Sequence, residues 1–138
     1  MAVGFLVDCF FYEVGRGDFL HSFFSTISYH LETEGWGTKY PYLLKRLYRD
    51  KLSWLDVGKA REELRDIERQ LQVMSPDKVI WDIDDLSQKP PWGENISPKV
   101  TNLANYFASS DGRTFFELLY AAFQVAEEDR CDIIIHQV

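Results

Sequence analysis

The stretch Val79-Ile80-Trp81-Asp82-Ile83-Asp84-Asp85, followed four residues later by Pro90-Pro91-Trp92-Gly93, decides how this chain is read. Its apolar and acidic residues alternate, the pattern of a strand whose side chains point to two faces in turn. As a strand, Val79, Trp81 and Ile83 share one face. Ile80, Asp82 and Asp84 share the other, and Asp85 carries the charge past the end. Carboxylates fixed close together repel one another, so they call for a metal ion, a basic partner or full solvation. The loop behind them holds Pro90, Pro91 and Pro98, which cannot continue a helix and make poor ladder material. Trp92 gives that loop something to bury, so it reads as ordered.

Upstream, residues 2–12 read as one well-covered strand with apolar groups on both faces. Gly15-Arg16-Gly17 reads as a turn and Asp18 as the N-cap of a helix. Phe19, Leu20, Phe23, Phe24, Ile27 and Leu31 fall at helical spacing along it. Gly35-Trp36-Gly37 breaks the chain, and Pro41 suits the first turn of a short helix carrying Leu43, Leu44, Leu47 and Tyr48. A third helix is predicted from Leu55 to Val73, with Val57, Ala60, Leu64, Ile67, Leu71 and Met74 as a narrow apolar seam and charge elsewhere. Downstream, a short strand at Tyr106–Ser109, a helix after Asp111-Gly112 and a closing strand from Asp132 to Val138 complete the order. The pattern predicts an α+β fold and a single small domain over residues 1–138. Its mixed or antiparallel sheet has about three to four strands, packed with about four helices.

With 138 residues, 46% of them hydrophobic, the chain can bury a core without staples. Its 15% aromatic content exceeds what such a core needs and leaves aromatic area for a binding surface. Asp and Glu total 22 against 15 Lys and Arg, a formal charge of −7. Phosphate backbones are bound by cations, so the balance argues against a nucleic-acid partner and suits a basic protein. Cys9 and Cys131 form neither a disulfide framework nor a zinc spacing; each falls in a predicted buried strand. The N-terminus is a poor signal peptide and no apolar run suits a membrane span, so the chain reads as cytoplasmic.

Four chemistries compete for the polar residues. Asp82, Asp84 and Asp85 could offer oxygen ligands to a hard cation, but the calcium-loop pattern is absent. His21, His30 and His136 are the only imidazoles, with no nucleophile motif near them, so no catalytic residues are assigned. His21 reads as a surface or hydrogen-bonded helix residue. Gly15-Arg16-Gly17 precedes an acidic Asp18, which would deter phosphate. Recognition remains. An acidic segment beside a proline-fixed loop with Trp92 suits the capture of Lys and Arg. Asp82, Asp84, Asp85, Trp92 and Glu94 are the candidate binding residues, with Trp36 a further one.

Several segments carry a family resemblance. They are Phe19-Leu20-His21-Ser22-Phe23-Phe24-Ser25-Thr26-Ile27, Gly35-Trp36-Gly37, the Val79–Asp85 stretch, Pro90-Pro91-Trp92-Gly93, and Asn105-Tyr106-Phe107 before Asp111-Gly112. Together they resemble the bacterial immunity protein 70 family over nearly the whole chain. The resemblance implies an immunity protein of a polymorphic toxin system that binds and neutralises a cognate toxin. It implies no catalysis and no cofactor. It supplies no site residues, so the six named above rest on their own chemistry. Two other functions compete: a metal-assisted hydrolase built on Asp82, Asp84 and Asp85, and an adaptor whose exposed aromatics form a homodimer.

Overall fold

The computed structural model describes residues 2–138. Three strands form one antiparallel sheet in the order β2–β1–β3: β1 (Ala2–Val7), β2 (Phe10–Arg16) and β3 (Ile133–Gln137). The run 2–12 is therefore two strands and not the one expected. The chain reverses at Asp8-Cys9, where Asp8 adopts φ 54°, a left-handed conformation that Asp tolerates better than most residues. Gly15 and Arg16 belong to β2, so the turn expected there is absent. The hairpin closes tightly at Gly4. A Cβ there would lie 2.4 Å from the Tyr12 carbonyl oxygen, which leaves room for no other residue.

Helix α1 (Gly17–Leu31) follows β2 directly. Arg16 occupies its N-cap, and Asp18 sits in the first turn, where a carboxylate meets the positive end of the helix dipole. Phe23, Phe24 and Ile27 are fully buried. Helix α2 (Val57–Leu71) buries Val57, Ala60, Leu64, Ile67 and Leu71 of the predicted seam completely, while Met74, its sixth member, lies past the helix end and is half-buried. A four-residue helix α3 (Leu103–Tyr106) carries a reciprocal Asn102–Asn105 capping box. It stands where the short strand was expected to begin, and only the Ala108–Thr114 bridge has strand character. Helix α4 (Phe115–Asp129) is capped by the Thr114 hydroxyl and ends at Arg130 in the left-handed region. The core lies between the helices and the sheet face formed by Val3, Phe5, Val7, Val14 and Ile133. The architecture is α+β, with the sheet at the lower end of the expected strand count. The cysteines lie outside the strands: Cys9 is exposed in the hairpin turn, Cys131 is half-buried just before β3, and both are free.

The short helix after Pro41 is a single wide π-type turn over Tyr42–Leu47. Two carboxylates hold its approach. Glu32, at the end of α1, accepts hydrogen bonds from the backbone N–H groups of Gly37, Lys39 and Tyr40 at 2.9–3.0 Å. Glu63 on α2 accepts from Tyr42 and Leu43 at 3.4 and 3.1 Å. These side chains satisfy amides that a helix start leaves without partners. They also fix the Gly35-Trp36-Gly37 loop, whose glycines adopt φ 116° and 77°.

The acidic stretch is not a strand. From the end of the Pro76–Lys78 turn the chain runs antiparallel along α1 to a turn at Ile83-Asp84, and its backbone pairs with side chains of that helix. The Ile80 N–H donates to Thr26 Oγ1 at 3.0 Å, and the Ile80 carbonyl accepts from the hydroxyls of Ser22 and Thr26 at 2.7 and 3.2 Å. The Ile83 N–H donates to Ser25 Oγ at 3.2 Å, and His30 Nε2 donates to the Lys78 carbonyl at 2.7 Å. Once helix hydroxyls meet the backbone needs of the segment, no neighbouring strand is required.

Candidate partner-binding surface

The residues of the acidic stretch go three ways. Trp81 turns inward, only 9% exposed, stacked on Phe19 and edge-on to Trp92 with a centroid separation of 5.3 Å. Asp82 is half-buried against α1. Its Oδ1 lies 3.1 Å from His21 Nε2 and also accepts the Asp84 N–H at 2.9 Å. Asp84 and Asp85 are exposed. Asp85 Oδ1 accepts from the Ser87 N–H and hydroxyl, and Gln88 donates to its other oxygen. These hydrogen bonds hold the Asp85 carboxyl below its ordinary pKa, with Ser87 the largest cause. Two consecutive side-chain-closed turns therefore present the acids from a defined backbone.

His21 organises the first half of this surface. A carboxylate can only accept, so Nε2 donates to Asp82; in the neutral ring Nδ1 then accepts from the Tyr48 hydroxyl. Asp84 Oδ2 stands 4.0 Å from the same Nε2. Trp36 stacks on the His21 ring with an interplanar angle of 20°, and the Arg49 guanidinium sits over Trp36 at 5.5 Å from the ring centroid. The Trp36 indole donates to the Leu44 carbonyl at 2.8 Å, which fixes its orientation. Trp36, Asp82 and Asp84 are thus gathered around one imidazole. The ligand atoms of His21, Asp82 and Asp84 all lie within 4.8 Å of one another, a set that could hold a metal ion. Asp85 is not part of it.

Trp92 and Glu94 lie at a second place. Trp92 is half-buried, packed on Phe19 and Trp81, and its indole donates to the Tyr106 hydroxyl at 2.8 Å. Glu94 is exposed and lines a cleft of about 560 Å³ between the Pro76–Lys78 turn and the 89–96 loop. The six residues therefore form two groups, with Asp85 between them in sequence. His21, Tyr48 and Arg49 were missed as members of the first group. Reading α1 for polar residues would have found the support: Ser22, Ser25 and Thr26 interrupt an apolar helix at three- and four-residue spacing, and all three are buried.

The family model described as Immunity protein 70 matches residues 5–135, nearly the whole chain. The chain belongs to the Immunity protein 70 family. No curated protein and no solved structure matches the chain. Membership makes this an immunity-family protein, and such a protein implies a toxin as its partner. Among the described residues, no helix of this Immunity protein 70 member is long and apolar enough to cross a membrane.

Proposed function

We propose that residues 1–138 act as one cytoplasmic domain that binds a cognate bacterial toxin and neutralises it by occlusion, with no reaction performed on the toxin. The observation that carries this reading is the acidic stretch strapped along α1, in a chain of formal charge −7 that belongs to an immunity-protein family. Fixed carboxylates beside Trp36 match a basic surface, and a basic surface is what a toxin acting on nucleic acid presents. A nanomolar complex needs about −12 kcal/mol, and a few aromatic and charged anchors commonly supply most of it. Asp82, Asp84 and Trp36 serve as anchors in one group, Trp92 and Glu94 in the other, with Asp85 exposed between them.

The test is calorimetric titration of the toxin domain encoded by the neighbouring reading frame. Asp84→Lys with Asp85→Lys is expected to weaken binding by about a hundredfold, because both acids are exposed and their reversal opposes a basic partner. The far-UV spectrum should not change. Full affinity in the folded double variant removes this surface from the interface.

The convergence of His21, Asp82 and Asp84 favours one second reading, metal-assisted hydrolysis. It requires stoichiometric metal in the purified protein and an activity that a chelator abolishes. Elemental analysis separates the two readings.

A further inference from the structure

We propose that the cleft between the Pro76–Lys78 turn and the 89–96 loop receives an extended segment of the partner in which a basic residue adjoins an apolar one. In this arrangement the Tyr106 hydroxyl donates to a backbone carbonyl of that segment. The inference deepens the toxin-binding reading and rests on it for the partner's identity.

Three observations on different residues meet here. The cleft measures about 560 Å³, within the range of about 300–1,000 Å³ over which proteins hold ligands, and Pro76, Val79, Pro90 and Ile96 give it apolar walls. Prolines lose little entropy on ordering, so these walls are prepared before anything enters. The charged groups on its lining are the exposed carboxylates of Asp77 and Glu94 against one cation, Lys89. The Ser75 hydroxyl on Asp77 keeps that carboxyl below its ordinary pKa, so it stays charged.

Tyr106 supplies the third observation. It lines the cleft yet is only 7% exposed. Its oxygen accepts from the Trp92 indole, while its own proton has no acceptor among the described residues. Burial raises its pKa, so the hydroxyl keeps that proton and remains a donor. The hydroxyl sits on the cleft wall with a proton still to give, and a backbone carbonyl laid along the cleft would accept it. Acidic lining, apolar walls and a hydroxyl proton on the wall together select an extended basic–apolar peptide.

The experiment uses the full chain, labelled with nitrogen-15, and two blocked peptides, acetyl-Ala-Arg-Leu-Ala-amide and its counterpart with Glu in place of Arg. The arginine peptide is expected to bind in the millimolar range and to shift the Trp92 indole resonance with the amides of Gly93–Ile96. The glutamate peptide should bind about tenfold more weakly. Asp77→Asn with Glu94→Gln should erase that preference. Tyr106→Phe should weaken the arginine peptide severalfold while the dispersed spectrum shows that the core is intact. Equal binding of the two peptides overturns the proposal, and so do shifts that ignore these variants. No toxin enters these titrations, so a neutralisation assay that fails beside an intact arginine preference removes the toxin reading and leaves the cleft standing. Toxin binding without a peptide response removes the cleft alone.

Discussion

Helix α2 and the segment at residues 78–83 both lie against other helices, and they are held by opposite means. α2 satisfies its own backbone and contributes a seam of five fully buried apolar side chains. The segment at 78–83 buries one large side chain, Trp81, and takes its backbone partners from Ser22, Ser25, Thr26 and His30 of α1. An element stabilised by burial is felt throughout the core when it is damaged. A segment stabilised by borrowed hydroxyls can loosen while the rest stays folded. The difference bears on function, since the loosely sewn segment carries the acids proposed to meet the partner.

The largest loss is expected from Leu64→Ala. Leu64 is fully buried in the middle of the α2 seam. The lost transfer energy and the cavity together should cost about 2–5 kcal/mol in chemical denaturation. Hydrogen exchange should quicken across the sheet as well as in α2. A loss confined to α2 would show that the seam is not continuous with the core.

Removing one α1 hydroxyl should cost less and act more locally. Thr26→Val keeps the shape but removes the group that accepts the Ile80 N–H and donates to the Ile80 carbonyl. Leaving these backbone groups short of partners should cost about 1–3 kcal/mol. Faster exchange should be confined to residues near Ile80, with α2 protected. If Thr26→Val disturbs α2 as much as Leu64→Ala does, the two regions are one cooperative unit and the contrast is void.

The same contrast explains what was legible in the sequence. α2 and α4 announce themselves, because a helix that buries one face must repeat apolar residues at its own period. The closing strand was visible in Ile133-Ile134-Ile135 for a similar reason. The acidic stretch misled because strand alternation reports only that successive side chains face opposite ways. Any extended chain does that, whether its amides pair with a strand or with serines. Asp8 misled in the other direction, since nothing in its identity marks it as the reversal of a hairpin. At the site, the acids and Trp36 stood out by chemistry. His21, Tyr48 and Arg49 did not, because their meeting depends on separations of 27 and 61 residues from His21 to Tyr48 and Asp82.

The smallest effect tests the one place where α2 behaves as α1 does. Glu63 lends its carboxylate to the amides of Tyr42 and Leu43, so α2 also serves another segment's backbone, but with a titratable group. Burial pushes the Glu63 pKa from 4.5 up to about 7, against the lowering effect of those two hydrogen bonds. The folded state therefore holds this proton more tightly than the unfolded chain does. Stability tied to Glu63 is present below about pH 4.5, falls as pH rises towards 7 and levels off above it. Glu63→Gln removes the titration. Glu63 meets the two N–H groups with different oxygens and Gln keeps only one acceptor oxygen, so the 3.4 Å contact with Tyr42 is the one to be lost, as a fixed offset at pH 5. From pH 5 to 8 the variant should gain on the wild type by on the order of 1–2 kcal/mol, after discounting for the solvent that reaches this half-buried group. Thr26→Val, acting through a neutral hydroxyl, should show no such slope. Parallel stability–pH curves for wild type and Glu63→Gln would mean that the carboxylate is as well solvated in the fold as in the unfolded chain, and that α1 and α2 lend their side chains on equal terms.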